Sequence, residues 1–237
     1  MFEDGLSYPV RGDWLGRTII GGLLAVFSFL LIPAFFVTGY LIRVLKTTVS
    51  GVDEPPAFDD WGDLFIKGLV GTVITIVYSV VPVVAFGVLG FVLFGVIGIG
   101  GGIGGDGGGI IAGLGGIAVL LLGLLFIPVV FLIYYMVPAA LTNYAIEDEF
   151  GAAFDFGTIK PILLSSEYLV AVLLPIVVAV ILWIATSILA FTVVGLLLVP
   201  FLQFYGQVTI FRMFGTAFKN VMGGLQTSSS TTTATTY

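Results

Sequence analysis

An all-α, polytopic helical membrane protein is what this sequence predicts, and three features carry that expectation. The chain is 59% hydrophobic and only 9% charged, where soluble proteins carry roughly a quarter charged residues. Its apolar runs reach or exceed the roughly 20 residues that an α-helix needs to cross a bilayer. Charged residues gather in the loops between those runs, and none sits at the centre of a run.

Met1 to Arg17, MFEDGLSYPVRGDWLGR, mixes Phe2, Leu6, Tyr8, Trp14 and Leu15 with charges. That composition suits an interfacial segment at headgroup level. The first apolar run after it is longer than the h-region of a signal peptide and no small-residue cleavage site follows that run, so it is expected to stay in the chain. Residues 18–218 are expected to form one transmembrane domain with five spans, near Thr18 to Ile42, Gly68 to Ile97, Ile110 to Leu141, Tyr168 to Ala190 and Thr192 to Met213. Charged loops (Arg43 to Lys67, Thr142 to Glu167) alternate with nearly uncharged turns (Gly98 to Gly109, Phe191 to Gly195). Residues 219–237 end in a Ser/Thr tail that has no apolar surface to bury, which predicts disorder.

With five single crossings, Arg43, Lys46, Lys67, Lys160, Arg212 and Lys219 share one side. The positive-inside rule makes that side cytoplasmic, together with the acidic loops and the C-terminus of a multi-pass cell-membrane protein. Arg11 and Arg17 would then lie opposite. A short re-entrant hairpin folding back at Pro33 would return them as part of a six-span alternative. Against it, Leu15 to Leu45 is about 31 residues, too short for two full crossings. Five spans is therefore the leading expectation.

A weak repeat organises the apolar part. Leu30 to Leu45, Leu125 to Leu141 and Leu197 to Phe214 each place a proline after an apolar pair and a tyrosine five to seven residues later. The first two run into related acidic loops, DEPPAFDDWGDLFIKGL (Asp53 to Leu69) and DEFGAAFDFGTIKPIL (Asp148 to Leu163). Homologous units would run through the membrane in the same direction.

In the first of these loops, Asp59 or Asp60 stands where a helix N-cap would, and Asp63 complements the helix dipole. Trp61, Leu64, Phe65 and Leu69 supply an apolar face, so an in-plane amphipathic helix is expected. Asp59, Asp60, Trp61, Asp63 and Phe65 then form a candidate interface for a partner or for lipid. A cation site joining these acids to Asp53 and Glu54 is the competing reading, but the spacing matches no calcium loop. Glu147, Asp148, Glu149 and Asp155 invite the same two readings.

The chain contains no cysteine and no histidine. Disulfides, thiol chemistry and the usual zinc sites are thereby excluded. The carboxylates lack a nucleophile or base beside them. No catalytic constellation, cofactor or metal is expected, and a net charge of -6 argues against nucleic acid as a partner. The glycine stretch VIGIGGGIGGDGGGIIAGLGG contains a G-x-G-x-x-G match at Gly100, Gly102 and Gly105, but it follows an apolar helix and has no lysine. It reads as a flexible external connection over Gly98 to Gly109, with Gly109 and Gly113 placed for close helix approach. Polar residues within the spans are few. Gln203, Tyr205 and Gln207 form a candidate polar path, although interhelical hydrogen bonding is the commoner use of such groups.

YPVRGDWLGR, LLIPAFFVTGYLIRVL and DEPPAFDDWGDLFIKGL together resemble an uncharacterised family of archaeal integral membrane proteins, best known from halophiles and classed as a domain of unknown function. The resemblance covers roughly Met1 to Gly215 and implies a haloarchaeal cell membrane, in keeping with the acidic loops. It carries no chemistry. The layout also resembles, more loosely, some bacterial membrane proteins and the membrane portion of some glycerophosphodiester phosphodiesterases, without their catalytic domain. The expected function is a non-enzymatic membrane protein that scaffolds partners or organises lipid, its partners being membrane lipids and an unidentified membrane or cytoplasmic protein. A transporter or channel for a small neutral or lipid-like solute is the alternative.

Overall fold

The computed structural model describes the backbone of residues 1–101 and 105–234, and their side chains except at 81, 96, 98–101, 105–112 and 225–234. The helices are α1 (Phe2–Ser7), α2 (Trp14–Val26), α3 (Ile32–Val49), α4 (Trp61–Gly101), α5 (Gly105–Glu147), α6 (Phe156–Leu163), α7 (Ser166–Leu189) and α8 (Val193–Ala234). Tight 3-10 turns fill Tyr8–Val10, Ser28–Leu30 and Phe150–Phe154, and no strand occurs among the described residues. Five stretches are long and apolar enough to cross a membrane: Ile32–Val49, Trp61–Gly95, Gly113–Glu147, Ser166–Leu189 and Val193–Gly224.

The first expected span is not one helix. Thr18 to Ile42 is broken between α2 and α3, and Pro33 stands in the first turn of α3, where its missing N–H costs no helical hydrogen bond. Leu31 takes a φ of 64° at the break. Local bonds close the turn: Leu30 N–H donates to Phe27 O at 2.9 Å and Leu31 N–H to Ser28 O at 3.1 Å. The Ser28 hydroxyl turns back to donate to Leu24 O at 2.9 Å.

The consequence is visible along α8. Contacts of the N-terminal segment and α2 run backwards along it, with Gly5 against Met213, Gly21 against Phe204 and Gly22 against Phe201. Contacts of α3 run forwards, from the Tyr40 ring 5.4 Å from that of Phe204 to Thr48 against Gly215. α2 and α3 are thus the two legs of a hairpin, and the N-terminus lies beside Arg212 on α8. Five helices long enough to cross are present, as expected, but the first runs over Ile32–Val49 and not Thr18 to Ile42, and α2 with α3 has the geometry of the hairpin alternative, with the turn a few residues ahead of Pro33.

Two glycines bring the backbones of α3 and α4 together. A Cβ on Gly39 would lie 1.8 Å from Leu64 O, and one on Gly68 would lie 1.7 Å from Phe35 O. Only glycine fits at either position, and the order of the two contacts, Gly39 to Leu64 and Phe35 to Gly68, shows that α3 and α4 run antiparallel. Around that crossing, Tyr8, Val37, Tyr40, Leu41, Val44, Leu64, Phe204 and Val208 form a buried core. Tyr8 is fully buried there, so Met1 to Arg17 is not solely an interfacial segment: its middle packs into the bundle.

A second correction concerns the acidic loops. Trp61 to Leu69 is not a separate in-plane helix but the first turns of α4, since nothing in WGDLFIKGLVGTV interrupts the helical hydrogen-bond ladder. The second loop does make a separate short amphipathic helix, α6, with Ile159 and Ile162 buried and Phe156 exposed.

The chain divides into two compact units, Met1–Ile74 with Pro138–Tyr237, and Thr75–Val137. Within the second unit, α4 and α5 pack antiparallel, with the Phe86 and Phe126 rings 5.2 Å apart and Gly115 beside Ile97. Backbone is helical to Gly101 and again from Gly105, so the connection expected over Gly98 to Gly109 is helical at both ends. Residues 102–104 and the Gly109 environment lie outside the described residues. The helical backbone of α8 is described to Ala234. Residues 235–237 lie outside the described residues.

Candidate functional site

Arg43, near the C-terminal end of α3, reaches across to the start of α4. Its Nη1 contacts the Asp59 carboxylate and donates to Asp59 O at 3.0 Å, while Nη2 donates to Asp63 Oδ2 at 2.9 Å. Lys67, one turn further along α4, meets Asp63 Oδ1 at 3.2 Å and Asp148 Oδ1 at 3.3 Å. Lys46 of α3 completes the group by contacting the other Asp148 oxygen. Arg43 and Lys46 on α3, and Asp63 and Lys67 on α4, are each one helical turn apart, so each pair projects to one side of its helix. Three cations and three carboxylates thus link α3 and α4 to Asp148, immediately after α5. Asp148 adopts a φ of 55°, which ends α5 and turns its carboxylate towards the lysines. Burial pushes its pKa up, but the hydrogen bonds from Lys46 and Lys67 outweigh that, and the net direction is down.

A second cluster surrounds Arg212 of α8, whose side chain is 8% exposed. Its Nε donates to Asp4 Oδ2 at 3.0 Å, Nη1 to Val52 O at 2.8 Å and Nη2 to Asp53 Oδ1 at 3.4 Å. The guanidinium carbon lies 4.4 Å from the centroid of the Tyr8 ring. Tyr8 donates its hydroxyl to Glu54 O at 3.1 Å, and burial raises its pKa, so it stays a donor. Arg11 adds bonds to Asp4 Oδ1 at 2.7 Å and Asp53 O at 3.2 Å. α1, the first acidic loop and α8 are therefore joined by one buried arginine.

Of the predicted interface residues, Asp59 and Asp63 are brought together on Arg43. Asp60 instead caps α4, accepting from Asp63 N at 3.2 Å with a φ of 44°. Trp61 and Phe65 join an aromatic group: Trp61 meets Phe36 edge-on at 5.4 Å, and Phe65 meets Phe35 edge-on at 5.7 Å. Asp59, at 73% side-chain exposure, and Trp61, at 45%, remain accessible at the margin of the cluster. With Arg43 occupying both aspartates, the carboxylates have a cationic partner already. Among the described residues, no group of three or more Asp, Glu, His or Cys is arranged to hold a metal ion.

The second acidic loop separates in the same way. Asp148 joins the lysines, and Asp155 caps α6 by accepting from Gly157 N at 2.9 Å and from the Thr158 hydroxyl at 2.7 Å. Glu147, Glu149 and Asp155 line a cavity of about 410 Å³ with Asn143 and Thr158. The proposed polar path is mostly a set of packing bonds. Gln203 donates from Nε2 to Thr186 Oγ1 on α7 at 2.9 Å, and the Tyr205 hydroxyl donates to Leu6 O. Gln207 is half-buried one turn further on.

In the sequence alone, Arg43, Lys46, Lys67 and Arg212 stand as markers of topology. Arg212 did carry a signal, as a cation following the apolar run Val193 to Phe211. Its partners, Asp4 and Asp53, are 208 and 159 positions away, beyond the reach of local patterning.

Residues 26–191 match a family described as "Protein of unknown function (DUF4013)". The chain belongs to the DUF4013 family. The matched segment contains the Arg43, Lys46, Lys67 and Asp148 cluster, whereas Asp4, Tyr8 and Arg212 fall outside it. An uncharacterized protein of the archaeon Methanocaldococcus jannaschii is 39% identical over 67 residues, which is 26% of this DUF4013 chain and 24% of the relative. The match thus spans about a quarter of that relative's length. No solved structure matches the chain.

Proposed function

We propose that this DUF4013 protein is a non-enzymatic integral membrane protein that scaffolds a protein partner or organises lipid at its charged end, facing the cytoplasm of a haloarchaeal cell. The observation that carries this reading is the internal pairing of the charges. Arg43, Lys46, Lys67 and Arg212 each bond to carboxylates of the same chain, so this end is a braced platform with Trp61 and Asp59 exposed at its margin. Exposed carboxylates hold hydration at high salt, which supports the halophilic setting. A photocrosslinker in place of Trp61 or Phe65 is expected to capture one specific protein in native membranes. Repeated capture of lipid alone would remove the protein-partner version and leave lipid organisation.

Transport of a small neutral or lipid-like solute is the reading this competes with. Gln203 and Tyr205 use polar atoms to hold α7 and the N-terminal segment, which favours packing over a path. Liposomes containing the protein are therefore expected to show no more solute flux than empty ones. Uptake abolished by Gln203→Leu with Gln207→Leu would reverse the order of the two readings.

A further inference from the structure

We propose that the α2–α3 hairpin is re-entrant: it enters and leaves the bilayer from the charged face, and its tip, Phe27 to Ile32, is covered by acyl chains without reaching the far side. Four observations converge on this. Both outer ends of the hairpin are tied to the charged end. Arg11 is bonded to Asp53 O ahead of α2, Arg17 donates to Arg11 O at 3.0 Å in its first turn, and Arg43 holds Asp59 and Asp63 at the end of α3.

The tip, in contrast, is apolar and unburied: Phe29 is 75% exposed, Leu30 57% and Leu31 67%. Between Arg17 and Arg43 there is no charged residue at all. Ser28 is the one polar residue from Phe27 to Ile32, where an aqueous turn would ordinarily draw several of Gly, Pro, Asn, Asp and Ser.

Backbone groups at the turn are also provided for. Phe27 N–H donates to Leu23 O, Leu30 N–H to Phe27 O and Leu31 N–H to Ser28 O, and the one hydroxyl, Ser28, donates to Leu24 O. Irregular backbone inside hydrocarbon needs such internal partners, since no water is there to supply them.

The length decides the depth. At 1.5 Å per residue the tip lies roughly 20 Å beyond Arg17 along α2 and roughly 18 Å beyond Arg43 along α3. The hydrocarbon core is about 30 Å thick, so the uncharged part of neither leg reaches across it; α3 in full rises about 27 Å, but its last residues, from Arg43 to Val49, lie at the charged end. α7 of the same unit makes the contrast, since Glu167 to Leu189 rises about 33 Å and delivers Phe191 to the opposite boundary.

Because the natural chain has no cysteine, single-cysteine variants can be read without background. Phe29→Cys and Leu30→Cys would be compared in sealed proteoliposomes with Ser50→Cys at the charged end and Phe191→Cys at the α7–α8 turn, using a membrane-impermeant maleimide added to either side. The expected result is labelling of Ser50→Cys from one face and Phe191→Cys from the other. Both tip variants should resist labelling from either face and become reactive in detergent. A nitroxide on the same cysteines should show relaxation by oxygen and not by a water-soluble nickel chelate. Tip labelling from the Phe191→Cys face would mean a full crossing, and tip labelling from the Ser50→Cys face would mean a hairpin outside the bilayer. Tip cysteines that stay unreactive even in detergent would mean protein covers them. Any of these three outcomes overturns the proposal.

Discussion

Arg212 holds three stretches of chain that are distant in sequence. Its guanidinium bonds Asp4, Asp53 and Val52 O and lies over Tyr8. Arg212→Gln removes charge-assisted bonds of the kind that contribute about 1.5–3 kcal/mol. The expected outcome is a lower thermal unfolding midpoint in detergent, with faster tryptic cleavage at Arg11 as the N-terminal segment comes loose. The same contacts make stability sensitive to acid. At Asp4, burial pushes the pKa up, but the bonds from Arg212 and Arg11 outweigh it and the net direction is down. A carboxylate with a depressed folded pKa contributes stability that is fully present above its ordinary value of 3.8 and is lost as pH falls through the lower folded value. Asp148 behaves the same way through Lys46 and Lys67. The unfolding midpoint should therefore be level from neutral pH to the upper edge of this window and fall below it. Asp4→Asn should lower the neutral plateau and make the acid limb shallower; an unchanged limb in that variant would show that Asp4 is not involved.

Among the elements, the α3–α4 crossing depends most closely on individual residues. Gly39 and Gly68 face the opposing backbone with no space for a methyl group, since each added Cβ would lie under 2 Å from a carbonyl oxygen. Gly39→Ala or Gly68→Ala should force the helices apart, a type of overpacking that costs about 1–3 kcal/mol. Such a shift would also stretch the Arg43 contacts to Asp59 and Asp63. A drop in the unfolding midpoint of either variant, larger than for Gly113→Ala, which has open space around it, would check this. Legibility in the sequence differed from element to element. α7 and the start of α8 matched the expected limits closely because their ends are marked, by Ser165 accepting from Tyr168 N at one and by the Ala190 to Thr192 turn at the other. The break after Val26 was harder to place. Pro33 signalled it, but whether a proline bends a helix or reverses the chain depends on contacts to another helix, here Gly21 and Gly22 against Phe204 and Phe201.

Across the whole molecule, the charges collect towards one end of the chain's first compact unit. The second unit, Thr75–Val137, contains Asp106 as its one charged residue. α4 and α5, at 41 and 43 residues, are each long enough to rise about 60 Å, twice a hydrocarbon core. Because α2 runs against α8 and α3 runs with it, the two chain termini leave from the same end. Tags at the N-terminus and at the C-terminus should therefore be accessible from the same face of sealed vesicles; opposite faces would restore five single crossings. Within the first unit, α3, the end of α5 and the middle of α8 all run towards the charged end, with Leu141 and Ile42 both beside Gly71 and Asp148 beside Lys46.

Composition and periodic apolar runs alone determined the helical membrane class, the number of long apolar helices and the placement of acids in two related loops. These properties follow from transfer energies and local backbone chemistry, which act over about 20 neighbouring residues. Tertiary structure decided which charges neutralise one another, that Tyr8 is core, and that the first apolar run doubles back. Each of these depends on pairs far apart in the chain, Asp4 with Arg212 or Lys46 with Asp148, whose attraction exists only after packing has brought the helices side by side.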